Sequence, residues 1–108
     1  MIKAILYLNS KEQYVGFDIK GHAGYAEAGQ DIVCAAVSTL AITILNAVET
    51  FTDLDFEGNM DPNGSIQFKL SSDIDDKGQL LLSTLALGLT EISNEYGKKY
   101  LKVHYKEV

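Results

Sequence analysis

GHAGYAEAGQDIVCAAVSTLAITILNAVET, residues Gly21–Thr50, is a glycine-punctuated loop that runs straight into an apolar repeat of helical period. Asp31 is a good N-cap residue. Val33, Val37, Leu40, Ala41, Ile44, Leu45 and Val48 then recur at i+3 and i+4 spacing, so the stretch predicts a helix from about Ile32 to Glu49.

Working outward, Ile2, Ala4, Leu6 and Leu8 share one side of residues 2–8, and Val15, Phe17 and Ile19 share one side of residues 14–20. Both read as half-buried strands, joined by a turn at residues 9–13. Downstream, residues 53–57 and 65–70 alternate at period two around Asp61-Pro62-Asn63-Gly64, which has the chemistry of a turn and predicts a second hairpin. Ser72 or Asp73 is placed to cap a second helix through Leu80-Leu81-Leu82, Leu85, Leu89 and Ile92, stopped by Gly97. Gly78 and Gly88 lower its helical propensity. Residues 100–105 close the pattern as a strand with Leu101, Val103 and Tyr105 inward. The order β-β-α-β-β-α-β implies an α+β fold, a single-layer, mixed and mostly antiparallel sheet of five strands with two helices on one face. Ala35, Ala36, Ala41, Ala86 and Gly88 permit close contact between the helices.

The 108 residues fit one domain, 1–108, and the apolar share of 46 % with 22 % charged residues is ordinary for a soluble globular protein. No apolar run is expected to reach the roughly 20 residues that span a bilayer, so membrane binding is not expected. Met1 leads directly into a strand pattern without the marks of a signal peptide, and one cysteine allows no intrachain disulfide, which together point to the cytoplasm. A formal charge of -6 argues against direct nucleic-acid binding as the main work and suits a basic partner. No internal repeat, low-complexity tract or linker is evident.

Cys34, the sole cysteine, falls on the first turn of the predicted helix, twelve positions after His22. A helix start favours the anionic form of a thiol, and unpaired first-turn N–H groups are expected near the sulfur, available to an oxyanion. Gly21, Gly24 and Gly29 allow the loop to fold His22 back towards the sulfur, where an imidazole can take the thiol proton and pass one to a leaving amine. Asp31 is the nearest candidate to orient the histidine, and Ser38 lies one turn beyond Cys34 on the same helix face.

Each of these residues also has an ordinary reading. A lone cysteine between Val33 and Ala35 can be a small buried hydrophobe, His22 a surface residue, Asp31 a cap and nothing more, and Ser38 a helix residue without a chemical role. His104, between Lys102 and Lys106 on its strand face, reads as solvated. One cysteine and two distant histidines imply no metal site, Asp73, Asp75 and Asp76 lack the pattern of a calcium loop, and no cofactor-binding motif occurs.

The run Gly21-His22-Ala23, Gly29, Asp31-Ile32-Val33-Cys34-Ala35-Ala36-Val37-Ser38 closely resembles the signature of the ribosomal-processing cysteine proteases, the Prp family of Firmicutes and relatives. The resemblance covers the whole chain in length and element order. It implies a cytoplasmic endopeptidase that removes an N-terminal extension from large-subunit ribosomal protein twenty-seven for ribosome assembly, with Cys34 as nucleophile and His22 as general acid and base. Asp31 and Ser38 match further motif positions as possible supporting residues. The family pattern also implies a homodimer and a mobile loop at residues 21–30, beside which Gly21, Ala23, Tyr25 and Gly29 are candidates to contact a short apolar substrate segment ending in aromatic residues. Tyr25 can equally serve only to pack the loop. The alternative from another class is a non-catalytic, acidic ribosome-associated module that binds basic ribosomal proteins; a redox-sensing thiol is a third reading, weakened by the lack of a resolving cysteine.

Overall fold

Strict alternation in the first twenty residues produces the hairpin β1 (Ile2–Leu8) and β2 (Tyr14–Lys20), antiparallel from Lys3 opposite Lys20 to a bulge at Tyr7 and Leu8. The computed structural model describes residues 1–27 and 29–108; Ala28, inside the loop of residues 21–30, lies outside the described residues. After the loop come α1 (Ile32–Phe51), β3 (Phe56–Met60), β4 (Ile66–Leu70), α2 (Asp76–Tyr96) and β5 (Leu101–Glu107). The sheet order is β3-β4-β2-β1-β5, with β5 parallel to β1 and the other pairs antiparallel. This is the expected mixed α+β sheet.

One face of the sheet carries Ile2, Ala4, Leu6, Phe17, Ile19, Ile66, Phe68 and Leu101, and both helices bury their apolar stripes against it. From α1 come Val33, Val37, Ala41, Ile44 and Val48; from α2, Leu82, Leu85, Ala86 and Leu89. Phe17 stacks on Phe68 with ring centroids 5.3 Å apart, and Phe56 covers Phe68 from the far side at 5.0 Å. A Cβ at Gly88 would meet Leu40 Cδ2 at 2.6 Å, so the helices approach as closely as the small-residue pattern implied.

Three expectations from the sequence change in the structure. The second helix is capped by Asp75, whose carboxylate accepts from Gly78 N–H at 2.7 Å, rather than by Ser72 or Asp73. Ser72 instead accepts the Asp55 N–H at 3.1 Å. The third strand begins at Phe56, because residues 52–54 end α1: Thr52 Oγ1 donates to the Val48 carbonyl and accepts from Leu54 N–H. Finally, α1 is by length and composition apolar enough to cross a membrane, contrary to expectation, but its buried stripe belongs to the core and its half-exposed apolar residues lie outside that stripe.

Candidate active site

The loop after β2 and the first turn of α1 meet at one end of the sheet. Gly21 begins the loop at φ +97°, and a Cβ there would lie 2.5 Å from the Met1 carbonyl oxygen, so only glycine fits this exit. The chain then places His22 in solvent and buries Ala23 in the core at 3 % exposure. From that position the Ala23 N–H donates to Cys34 Sγ at 3.2 Å. Cys34 itself is half-buried on the third residue of α1, at the margin of the core.

Asp31 joins the same two segments. Its Oδ1 accepts from Val33 and Cys34 N–H, each at 3.0 Å, and its Oδ2 from Tyr25 N–H at 3.0 Å and Ala26 N–H at 3.4 Å. Desolvation works against its ionised form, but the hydrogen bonds from Cys34, Ala26 and Tyr25 outweigh it and hold the carboxyl below its ordinary value. The cap thereby consumes the donors expected to be free. With Ala35 N–H donating to the Asp31 carbonyl at 3.1 Å, the Val33, Cys34 and Ala35 amides are all engaged, and the donor aimed at the sulfur comes from the loop instead.

Tyr25 stands edge-on to Tyr96 at 5.6 Å and to Tyr100 at 5.1 Å, and remains 42 % exposed. It packs the loop onto the C-terminal end of α2 and the entry to β5 while offering one edge to solvent. Gly29, at φ +86°, turns the chain towards Asp31 with open space around it. Ser38 is half-buried one turn beyond Cys34 and takes part in none of the side-chain hydrogen bonds among the described residues. Nor does a hydrogen bond join the His22 imidazole to the sulfur among those residues. The structure thus brings Ala23, Asp31 and Cys34 together and holds His22 one residue from the contact. The Ala23 donor is a backbone group that no residue type marks; loop packing is one of the two sequence readings of Tyr25, but its partners Tyr96 and Tyr100 are set by tertiary packing.

Beside this turn, Ile32, Ala35, Ala36, Thr39, Leu40 and Thr43 form a nearly flat apolar strip along the outer side of α1.

The family model for "Cysteine protease Prp" matches residues 1–102. The chain belongs to the Prp cysteine protease family. The ribosomal processing cysteine protease Prp of Staphylococcus aureus (strain Mu50 / ATCC 700699) is 32 % identical over 107 residues, covering 98 % of this chain and 100 % of that one. The Prp of Bacillus subtilis (strain 168), of the same name, is 30 % identical over 106 residues, covering 89 % and 90 %. A crystal structure of S. aureus Prp with a covalently linked product peptide superposes with a TM-score of 0.92 at 30 % identity, covering 98 % of this chain and all of that one. The Prp fold in that structure is therefore the fold described above, helices and mixed sheet included.

Proposed function

We propose that this Prp-family chain removes the N-terminal extension of large-subunit ribosomal protein twenty-seven in the cytoplasm, as a homodimer, with Cys34 as nucleophile and His22 as general acid and base. The observation that carries the reading is the loop-to-helix contact, which sets a sole thiol at a helix start against the loop that bears the imidazole. That relatives are named ribosomal processing proteases, and that one of them holds a product peptide covalently, supports the substrate class and the covalent route.

In this reading Cys34 Sγ attacks the scissile carbonyl carbon, His22 accepts the thiol proton, and a C–S bond forms. Collapse of the tetrahedral intermediate breaks the C–N bond as His22 returns the proton to the leaving amine. Water, deprotonated by the same imidazole, then cleaves the thioester and restores the thiol. As the sulfur becomes acylated, the Ala23 N–H is freed from it and stands next to the developing oxyanion. Closure of the loop on substrate supplies the final approach of His22. The apolar strip along α1 offers a hydrophobic peptide a surface to lie against.

The test is cleavage of a peptide spanning the extension, followed by mass spectrometry. Cys34→Ala is expected to lose activity by several orders of magnitude. Cleavage at the parent rate by that variant would overturn the assignment.

A further inference from the structure

Five of the nine lysines gather at the end of the sheet that carries the candidate active site, although the whole chain has a formal charge of -6. Strand pairing sets Lys20, Lys3 and Lys102 side by side on adjacent strands, all exposed. They stand on the face opposite the helices, since Ile2, Ile19 and Leu101, their chain neighbours, are buried in the core. No carboxylate occupies that row, and like charges directly opposite across strands cost stability. Lys98 and Lys99 extend the group through the turn into β5, where Lys99 Nζ lies 4.9 Å from the centroid of Tyr100, the ring that supports Tyr25 of the catalytic loop. Lys20 is joined to Gly21 and hence to His22.

We propose that this lysine row is a docking surface for the phosphate backbone of RNA beside the active site. The inference rests on the ribosomal reading for its choice of polyanion. Glu27, Asp31 and Glu95 lie at this end too, but none is in the row, and the other four lysines stand among the remaining carboxylates, so positive charge is concentrated at the row and the turn beside it. Further along the same face Asp18 stands two residues from Lys20 and Glu57 sits opposite Lys69, so the excess of positive charge does not continue beyond the row. A basic protein partner, which the chain's formal charge of -6 suits, does not supply the anion. Docked in this way, the enzyme holds the opposite face of the sheet to RNA and leaves the α1 side, which carries Cys34, open to a protein segment at the same end.

Fluorescence anisotropy with a structured ribosomal RNA fragment, using the full chain carrying Cys34→Ala, tests the proposal. Lys3→Gln/Lys20→Gln/Lys102→Gln is expected to weaken binding at least tenfold and to reduce the salt slope by about 2–3, at roughly 0.7–0.9 for each phosphate no longer neutralised. Lys11→Gln/Lys77→Gln/Lys106→Gln, which removes equal charge from the other end, is expected to change affinity less than threefold. Equal losses in both triple variants, or no binding by the parent, would overturn the proposal. So would a triple variant that only disrupts self-association in sedimentation with its RNA affinity intact. Failure to cleave a free peptide is a separate result that strikes the protease reading instead.

Discussion

The Ala23 N–H donates to Cys34 Sγ at 3.2 Å, so the loop after β2 is tied to the sulfur of the proposed nucleophile and not merely placed nearby. The tie lies one residue from His22. A shift of the loop therefore moves the imidazole and the sulfur's donor together, and both depend on Ala23 remaining in the core.

His22→Ala should separate chemistry from folding. The side chain is exposed and outside the core, so stability should change by less than about 0.5 kcal/mol. Peptide cleavage should fall by about 10²–10⁴-fold if the imidazole transfers protons. Steady-state kinetics with thermal melts of the same sample would show it, and retained kcat/KM would remove His22 from the mechanism.

Asp31→Ala removes a cap that holds four N–H groups, with an expected loss of about 0.5–2 kcal/mol. Its folded carboxyl titrates below the ordinary value of 3.8, so its ionised contribution is complete above that value and disappears as pH falls through the lower folded one. Urea unfolding of parent and variant should differ most at neutral pH and converge as pH falls from about 3.8 through the lower folded value. A gap that stays constant down to pH 2 would contradict this linkage.

Tyr25→Phe should leave the enzyme close to the parent, because both edge contacts are made by the ring. Tyr25→Ala loses two pairs worth about 0.5–1.5 kcal/mol each beyond their buried area. Limited proteolysis should then nick residues 21–30 faster while kcat/KM drops. If Tyr25→Phe is as impaired as Tyr25→Ala, the hydroxyl has a role the packing does not explain.

Gly88→Val drives a side chain into Leu40 and should cost about 1–3 kcal/mol. Leu40→Ala on its own should also destabilise, but the double variant should recover part of the loss, which denaturant titrations can resolve as a coupling energy. Strict additivity would mean the helices do not meet there.

The first hairpin and the start of α1 were legible because alternation, helical spacing and an aspartate cap all agree at residues 2–20 and 31–48. The start of β3 was not, since Leu54 belongs to the contact with Gly78 at the start of α2 and Thr52 is spent closing α1. Cys34, His22 and Asp31 stood out as residue types. What they touch did not: Asp31 saturates the helix-start amides, and the sulfur's donor is a backbone group on an alanine. The lysine row needs two strand registers at once, one of them the parallel pairing of β1 with β5, and no local pattern encodes that pairing.

That parallel pairing also sets an order of events during synthesis. Ile2 N–H donates to the Tyr100 carbonyl at 2.8 Å, and Tyr25 leans on Tyr96 and Tyr100, so the front of the chain is completed by its tail. Chains emerge from the ribosome N-terminus first. A nascent chain that already displays Cys34 still lacks the aromatic buttress under its loop, and it cannot assemble the arrangement described here until its last strand has left the exit tunnel.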